Sequence, residues 1–268
     1  MADTYIMGID LGSTTSKAVI IRNGTEVVGS SIVTQGVGTE GPQKAFEECL
    51  ADAGIKKEDL AMTVSTGIGG NRFKQADLMI NELKAHAGGV HAMYPEARML
   101  LDIGGQDAKI MSINEKGKLN NFLMNDKCAS GTGRYLEVMA KVFGVDVSTL
   151  KDYDEKAEGI IPISATCTVF AESEVIAKLA AGADIPSLIR GIDTAVAVKA
   201  AALVRKLGVS GPVYMSGGVA RNTGVIRALE KELGVPVKAS EIQQLNGAYG
   251  AALYGFENLS RSRRNRQI

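Results

Sequence analysis

Short apolar runs separated by small polar turns open the chain. Tyr5–Leu11 is an apolar run typical of a buried strand, and Lys17–Arg22 has the pattern of its return strand. Asn23-Gly24 predicts a two-residue hairpin turn, which leads into a third strand over Thr25–Thr34. The chain is therefore predicted to begin with three antiparallel strands.

The same order of runs and turns begins again at Met99. Met99–Ile103 predicts a buried strand, Ala108–Ile113 its return strand, and Lys118–Met124 a third strand. Self-similarity of this kind indicates a structural duplication, with two domains built on one plan.

Helical patterns and further strands lie between and after these repeats. Gly41–Gly54 is predicted to be a helix, Leu60–Thr66 a strand, and Phe73–Val90 mainly helical. The mixture of strands and helices indicates an α/β fold. The second half adds the helices Ile185–Leu207, one from about Asn222, and Gly247–Asn258, with the strands Val213–Met215 and Val235–Lys238.

The repeats divide the chain into two domains and a tail. The first domain is placed at residues 1–98 and the second at 99–258, with a closing helix that is free to pack on the first domain. Residues 259–268 are polar and rich in arginine, and are predicted to be disordered. No linker rich in proline or serine separates the domains, so we expect them to pack closely and to hinge.

Composition excludes several classes of protein. The 268 residues hold 30 Lys and Arg against 30 Asp and Glu, a balance that offers no case for binding nucleic acid or an anionic membrane. No apolar run approaches the roughly 20 residues of a membrane span, and the N-terminus lacks the features of a signal peptide. We therefore expect a cytoplasmic protein, in which three cysteines suit metal or redox chemistry better than disulfides.

The first turn carries residue types that bind magnesium and nucleotide phosphates. Asp10 ends a buried strand and offers a carboxylate to hydrated Mg²⁺, and Lys17 can neutralise phosphate charge. The turn between them supplies N–H groups and hydroxyls for the β- and γ-phosphates. An ordinary hairpin turn, whose hydroxyls bind their own backbone, is the alternative. The candidate phosphate ligands are Gly12, Ser13, Thr14 and Thr15.

A second turn repeats this arrangement after the second buried strand. Asp102 ends that strand, and Gly104 and Gly105 allow a phosphate to approach the backbone closely. Gln106 and Asp107 can orient water or Mg²⁺. The candidate catalytic residues are therefore Asp10, Asp102 and Gln106.

Two further segments of small residues complete a nucleotide-binding pattern. Gly217 and Gly218 follow a predicted strand, where a pair of glycines lets adenosine lie against the backbone. Asn246 opens a helix of small residues that can pack near the nucleotide. Each segment alone is weak evidence, whereas all four in this order are strong. The chain has neither a Walker A loop nor a Rossmann fingerprint.

Two cysteines stand ahead of predicted helices. Cys128 precedes the turn Ala129–Gly133, and Cys167 precedes a second helical pattern with Thr166 or Thr168 as its cap. The partial positive charge at a helix N-terminus favours a thiolate over a thiol. Both cysteines therefore suit a redox cofactor, although a pair of small buried hydrophobes is the alternative.

Other residues near the cysteines have less certain roles. Cys49 lies on the apolar face of an early helix, so we interpret it as a core residue. Asp126 and Lys127 precede Cys128, where they are candidates for a helix cap or a partner contact. The glycines Gly131 and Gly133 of the following turn are candidates for binding a cofactor.

At this point the chain resembles a known family almost from end to end. The segments around Asp10 and Asp102 and, above all, NDKCASGTGR and TCTVFAESEVI resemble the activator (component A) of 2-hydroxyacyl-CoA dehydratases. These activators belong to the BadF/BadG/BcrA/BcrD-type ATPases, in the actin, Hsp70 and sugar kinase superfamily. The resemblance implies a duplicated actin-like ATPase fold, with two ribonuclease-H-like domains and a nucleotide cleft between them.

The resemblance also implies a cofactor and partners. Members form homodimers with one [4Fe-4S] cluster held by two cysteines from each chain, and those positions correspond to Cys128 and Cys167. ATP with Mg²⁺ would drive a conformational change that passes one electron from ferredoxin or flavodoxin to the dehydratase. A cluster usually takes four thiolates, and a twofold dimer doubles two ligands to four.

The chain departs from the activators between Thr66 and His86. Ile68 stands where they have tyrosine, and Lys84-Ala85 where they have Ser-Cys before the histidine. This segment leaves the activated enzyme open. A reductase partner of a double-cubane-cluster protein, or of a benzoyl-CoA reductase-like enzyme, is an alternative. A small-molecule kinase of the same fold, and a nucleotide sensor or filament protein, are more distant ones.

Overall fold

The structure is a computed structural model that describes residues 3–125, 127–164 and 167–265. The strands found there are β1 (Tyr5–Leu11), β2 (Ser16–Arg22), β3 (Glu26–Val33), β4 (Leu60–Thr66), β5 (Leu78–Met79), β6 (Met99–Ile103), β7 (Ala108–Ile113), β8 (Leu119–Asn125), β9 (Val213–Ser216) and β10 (Val237–Ala239). The helices are α1 (Gly41–Ala53), α2 (Glu82–Met93), α3 (Gly133–Phe143), α4 (Leu150–Glu155), α5 (Thr168–Ala180), α6 (Ile185–Leu207), α7 (Thr223–Leu233) and α8 (Asn246–Asn265).

The strands of the described residues form two sheets that share one plan. The orders are β3-β2-β1-β4-β5 and β10-β9-β6-β7-β8. In each sheet the central strand, β1 or β6, runs antiparallel to its return strand and parallel to a later strand, β4 or β9. The predicted duplication is therefore confirmed at the level of strand order.

Two compact units contain these sheets, and they are interleaved along the chain. The first comprises the described residues of Met1–Ala97, Ile113–Asn120 and Gln244–Ile268, and the second those of Arg98–Ser112 and Asn121–Gln243. The closing helix α8 therefore belongs to the first unit, where it packs on α2 and β1. Among the described residues, no helix is long and apolar enough to cross a membrane.

Apolar side chains of the strands form separate cores in the two units. In the first unit Met7, Ile9 and Ile20 pack with Phe46 of α1, all of them buried. In the second unit the inner face of β6 packs against α3, α5, α6 and α7. These strands could be predicted from the sequence because burial makes them continuous apolar runs.

Two predicted elements are wrong. The segment Phe73–Val90 is not one helix, because Leu78–Met79 pairs with β4 and α2 begins only at Glu82. The side chain of Asn81 accepts hydrogen bonds from two amides there and so marks the start of α2. The tail expected to be disordered is helical through Asn265, as the last turns of α8.

Candidate functional site

The carboxylate of Asp10 lies buried near the end of β1, the central strand of the first sheet. Cross-strand pairing places Lys17 of β2 opposite Asp10 of β1, and its Nζ lies 3.1 Å from Oδ2 of Asp10. The side chain of Asp10 is only 4% exposed, so the lysine compensates a charge that burial would otherwise make costly. A buried carboxylate at a strand end, beside an open turn, is a suitable anchor for a hydrated cation.

The turn between β1 and β2 supplies polar groups next to this carboxylate. It is closed by a hydrogen bond from the Gly12 amide to the Thr15 carbonyl, 3.0 Å long. Ser13 is exposed, and Thr14 and Thr15 are half-buried. The turn therefore presents hydroxyls to solvent beside Asp10, as a phosphate-binding loop requires.

Two glycines that the sequence reasoning missed enclose Asp10. A Cβ on Gly67, which follows β4 with φ +81°, would lie 2.5 Å from Oδ1 of Asp10. A Cβ on Gly247 of α8 would lie 3.1 Å from Oδ2. A methyl group at Gly67 would displace the carboxylate, and one at Gly247 would be in tight contact with it. A glycine directly after a buried strand was the available signal for Gly67; nothing local marks Gly247.

The second turn holds its acidic residues differently. Asp102 is buried, and the hydroxyl of Ser216 donates to its Oδ1 at 2.6 Å. In the turn itself, Nζ of Lys109 lies 3.0 Å from Oδ2 of Asp107. The Gly104 amide donates to the Asp107 carbonyl at 3.0 Å and closes the turn, and Gln106 is exposed.

The glycine pair after β9 packs tightly on the central strand of the second sheet. Gly217 has φ +85°, and a Cβ there would lie 2.2 Å from the carbonyl oxygen of Ile103. Gly218 begins the 3-10 helix Gly218–Arg221. The positive φ and the close backbone contact both require glycine at Gly217.

Cys128 is exposed and precedes a turn that leads into α3, the arrangement predicted from the sequence. It belongs to the turn between β8 and α3, where Nδ2 of Asn125 donates to its carbonyl at 3.2 Å. Helix α3 begins later, with Thr132 as its N-cap. The expected caps Asp126 and Thr166 lie outside the described residues.

The first amides of α3 bind the second turn rather than a cofactor. The amide of Gly133 donates to the Gly104 carbonyl at 2.9 Å, and that of Arg134 to the Gly105 carbonyl at 2.8 Å. The Thr132 hydroxyl also donates to the Gly105 carbonyl, at 3.2 Å. The segment that carries Cys128 is thus hydrogen-bonded to the turn that follows Asp102, a link that no local sequence pattern revealed.

Cys167 is exposed and is itself the N-cap residue of α5, whereas Thr168 is the first residue of the helix. The preceding segment is anchored because the hydroxyl of Ser164 donates to Oε2 of Glu174 at 2.9 Å. Cys49 contrasts with both exposed cysteines, since burial raises the pKa of its thiol to about 12. A protonated, buried thiol of this kind is no metal ligand.

The outward face of α5 next to Cys167 is apolar. Val169, Phe170 and Ile176 are 65%, 70% and 51% exposed. Along the described residues, no group of three or more His, Cys, Asp or Glu side chains converges as a metal site would require. Cys167 therefore stands at the start of a helix whose outward face is apolar and exposed.

Two predicted or unused polar groups are fully buried. Asn246, a candidate nucleotide ligand, lies in the first unit with its amide against His86 of α2. In the second unit, Asp193 of α6 is buried beside Asp154, which pairs with Arg190 and Arg227. Burial, with the neighbouring Asp154 charge, raises the pKa of Asp193 to about 8.

Comparisons with known proteins agree with this arrangement. Residues 7–255 match the model of the BadF/BadG/BcrA/BcrD ATPase family. The 2-hydroxyisocaproyl-CoA dehydratase activator of Clostridioides difficile is 47% identical over 260 residues, covering 97% of this chain and 98% of that protein. The (R)-2-hydroxyglutaryl-CoA dehydratase activating ATPase of Acidaminococcus fermentans is 46% identical over 258 residues, covering 96% and 99%.

A solved structure is equally similar. The activator of the 2-hydroxyisocaproyl-CoA dehydratase from Clostridium difficile with bound ADPNP has a TM-score of 0.95 at 46% identity, and the match covers 98% of each chain. Together with the paired sheets, this likeness confirms the fold class expected from the sequence, a duplicated actin-like ATPase fold.

Proposed function

Because the chain belongs to the BadF/BadG/BcrA/BcrD ATPase family, we propose that this ATPase is an activator of a 2-hydroxyacyl-CoA dehydratase. It would use ATP to deliver low-potential electrons from ferredoxin or flavodoxin to that enzyme. The observation that carries the proposal is the pair of hydrogen bonds from Gly133 and Arg134 to the turn after Asp102. They join a candidate nucleotide loop to the segment that carries Cys128.

The candidate nucleotide ligands supply oxygen atoms and N–H groups. Asp10 would hold Mg²⁺ through water, and Lys17 would face the phosphates. Hydroxyls and amides of the first turn would bind the β- and γ-phosphates, and Gln106 would position the attacking water. In this proposal Gly104, Gly105 and Asp107 form the matching loop of the second unit, and Gly217 and Gly218 face the adenosine.

Cys128 and Cys167 would hold half of a [4Fe-4S] cluster. Such a cluster takes four thiolates, so two exposed cysteines per chain call for a homodimer with the cluster on its axis. When bound, the cluster supplies transfer of one electron at low potential. The protein's part is to expose two thiolates and to couple their positions to the nucleotide.

Coupling of this kind needs two conformations that ATP distinguishes. ATP shifts an equilibrium only through its differential affinity for the two states. In our proposal, nucleotide binding moves Gly104 and Gly105, and the α3 amides hydrogen-bonded to their carbonyls move with them. The turn with Cys128 directly precedes those amides, so its position would follow the state of the nucleotide.

The cysteine assignment is tested by anaerobic reconstitution of single variants. C128A and C167A should each lose the iron and sulfide, which we expect at about four per dimer in the parent protein. C49A is the matched control, because its thiol is buried and protonated, and it should retain the iron. Iron at the parent level in both C128A and C167A would contradict the assignment and favour a kinase of the same fold.

The homodimer is tested on the apolar face of α5. Phe170 is 70% exposed, and F170S should convert a dimer to monomers in light scattering, since buried aromatic anchors dominate interface energies. Val198 of α6 is also exposed, and V198S is the control that should leave the mass unchanged. Equal masses for all three proteins would place the interface elsewhere.

The activator role is tested with a purified 2-hydroxyacyl-CoA dehydratase and reduced ferredoxin. We expect dehydration that requires ATP and this protein together, and that C128A does not support. Activation instead of a benzoyl-CoA reductase-like enzyme, with no effect on the dehydratase, would replace the proposed partner. The exposed Ile68, where the activators have tyrosine, is the first position to exchange in that case.

A further inference from the structure

A buried polar cluster links helices α2 and α8 within the first unit. His86 is 4% exposed and Asn246 is fully buried. The helices approach closely there, since a Cβ on Gly250 would lie 1.8 Å from the Ala85 carbonyl oxygen and one on Gly89 2.4 Å from that of Asn246. Polar side chains buried at such a tight crossing are costly unless they are hydrogen-bonded.

The hydrogen bonds of Asn246 determine which way its amide faces. Its Nδ2 donates to the backbone carbonyl of His86 at 2.9 Å and lies 3.3 Å from Nδ1 of the same residue. The opposite amide orientation would place two carbonyl oxygens against each other. Nδ2 therefore has a second hydrogen for Nδ1, which makes Nδ1 an acceptor and leaves the imidazole proton on Nε2.

The protonated Nε2 faces the same small space as Asp10. A Cβ on Gly247 would lie 2.8 Å from Nε2 of His86 and 3.1 Å from Oδ2 of Asp10. Because residue 247 is glycine, it places no side chain between the imidazole and the carboxylate. The oxygen that faces this space, Oδ2, is also the one that Lys17 contacts at 3.1 Å.

We propose that His86 is a positioning residue for Asp10, with Asn246 setting its tautomer and Gly247 leaving the space open. The Nε2–H group, across one water, holds Oδ2 so that the carboxylate presents a fixed edge to Mg²⁺. This inference rests on the proposed role of Asp10 as the magnesium anchor. The same contacts fix the start of α8, close to where the chain enters the first unit at Gln244.

The test measures metal binding as well as ATP hydrolysis. H86A should raise the Mg²⁺ concentration for half-maximal hydrolysis at least about tenfold, as expected for losing a hydrogen bond to a charged group. Binding of Mn²⁺ with ADP, followed by electron paramagnetic resonance, should weaken in parallel. H86Q keeps an N–H donor near the position of Nε2, and should recover most of the loss. G247A should behave like H86A, because its methyl group fills the shared space.

Thermal unfolding separates positioning from stability. If H86A and H86Q lower the melting temperature equally while only H86A weakens Mn²⁺ binding, the positioning role holds. Unchanged Mn²⁺ binding in H86A would overturn it, and so would H86Q behaving like H86A. D10N separates the two proposals: if D10N weakens Mn²⁺ binding and H86A does not, only the role of His86 fails. If D10N also leaves it unchanged, the assignment of Asp10 fails, and this inference with it.

Discussion

The two central hairpins of the molecule share a register but differ in what surrounds them. In the first unit Asp10 pairs across the strands with Lys17, and in the second Asp102 pairs with Lys109. Around Asp10, two glycines at close range and a lysine fix the carboxylate. In the second hairpin, the carbonyls of the turn accept hydrogen bonds from the amides that begin α3.

This difference indicates that the two copies of the duplicated hairpin have different roles. The first turn exposes Ser13 beside a fixed carboxylate, which suits binding. In the second turn, the carbonyls of Gly104 and Gly105 accept hydrogen bonds from the segment that carries Cys128. This arrangement suits passing a movement of the turn on to the cysteine. We interpret the first hairpin as the main anchor of metal and phosphate, and the second as the part that reports on the nucleotide.

The largest effect is expected from G67A, which should displace the carboxylate of Asp10. A methyl group there would lie 2.5 Å from Oδ1 of Asp10 at a φ of +81°, so the carboxylate must move. We expect a loss of about 100-fold in the kcat of ATP hydrolysis, typical of a misplaced catalytic group. G38A is the control for backbone strain, because Gly38 has φ +88° with nothing nearby. Equal losses in both would mean that strain, not the carboxylate, is responsible.

The next effect is on how the free energy of unfolding depends on pH. It distinguishes Asp10, the buried acid of the first unit, from Asp193, a buried acid of the second. Asp10 is paired with a lysine, whereas burial beside Asp154 raises the pKa of Asp193 to about 8. The unfolded state loses this proton near pH 4 and the folded state near pH 8, so stability falls as pH rises between them. The slope is at most about 1.4 kcal/mol per pH unit.

D193N should remove this slope, because an amide does not titrate and can still accept from Asn222, which donates to Asp193 at 2.9 Å. Urea unfolding of the parent and of D193N at pH 5.5, 6.5 and 7.5 measures the difference. D152N, which alters an exposed carboxylate on α4, is the control that should keep the parent slope. Parallel slopes for all three proteins would show that Asp193 is ionised in the folded state.

A smaller effect compares the serines of the two hairpin regions. The hydroxyl of Ser216 donates to the Asp102 carboxylate at 2.6 Å, and that of Ser16 donates to the Gln35 carbonyl at 2.8 Å. S216A should cost about 1.5–3 kcal/mol of unfolding free energy and S16A about 1, because bonds to charged groups are stronger. Denaturant unfolding measures both, and a larger cost for S16A would reverse this ranking.

The smallest effect is expected from G133P, which should reduce the response of Cys128 to ATP about tenfold. It tests whether the second hairpin couples the nucleotide to this cysteine. Proline is tolerated at the first position of a helix, and Thr132 before it is already extended, with φ −124° and ψ 172°. The substitution removes the amide that binds the Gly104 carbonyl. In a C49A/C167A background without iron, ATP should change the alkylation rate of Cys128, and G133P should reduce this change by about tenfold.

G133A is the control for G133P, since it retains the amide, although its methyl group would lie 3.0 Å from the Gly104 carbonyl oxygen. It should keep most of the response to ATP. An undiminished response in G133P would show that the second hairpin is not the route.

Sequence alone determined the elements whose signal is local. The buried strands Tyr5–Leu11 and Met99–Ile103 were legible because continuous apolar runs reflect burial on both faces of a sheet. The duplicated hairpins, the acidic residues at their ends and the family resemblance followed from short motifs. The prediction that Phe73–Val90 is mainly helical holds only from Glu82, because Leu78–Met79 pairs with β4 and tertiary pairing overrides a weak helical pattern.

Tertiary structure decided the relations between distant segments. Only the fold brings Gly67 and Gly247 around Asp10, and only the fold reveals that the first amides of α3 donate to the carbonyls of Gly104 and Gly105. The amides at the head of α3 looked available to a thiolate or a phosphate because sequence shows donors but not their acceptors. Periodicity reports what each segment buries, whereas hydrogen-bond partners and close approaches depend on segments that meet only after folding.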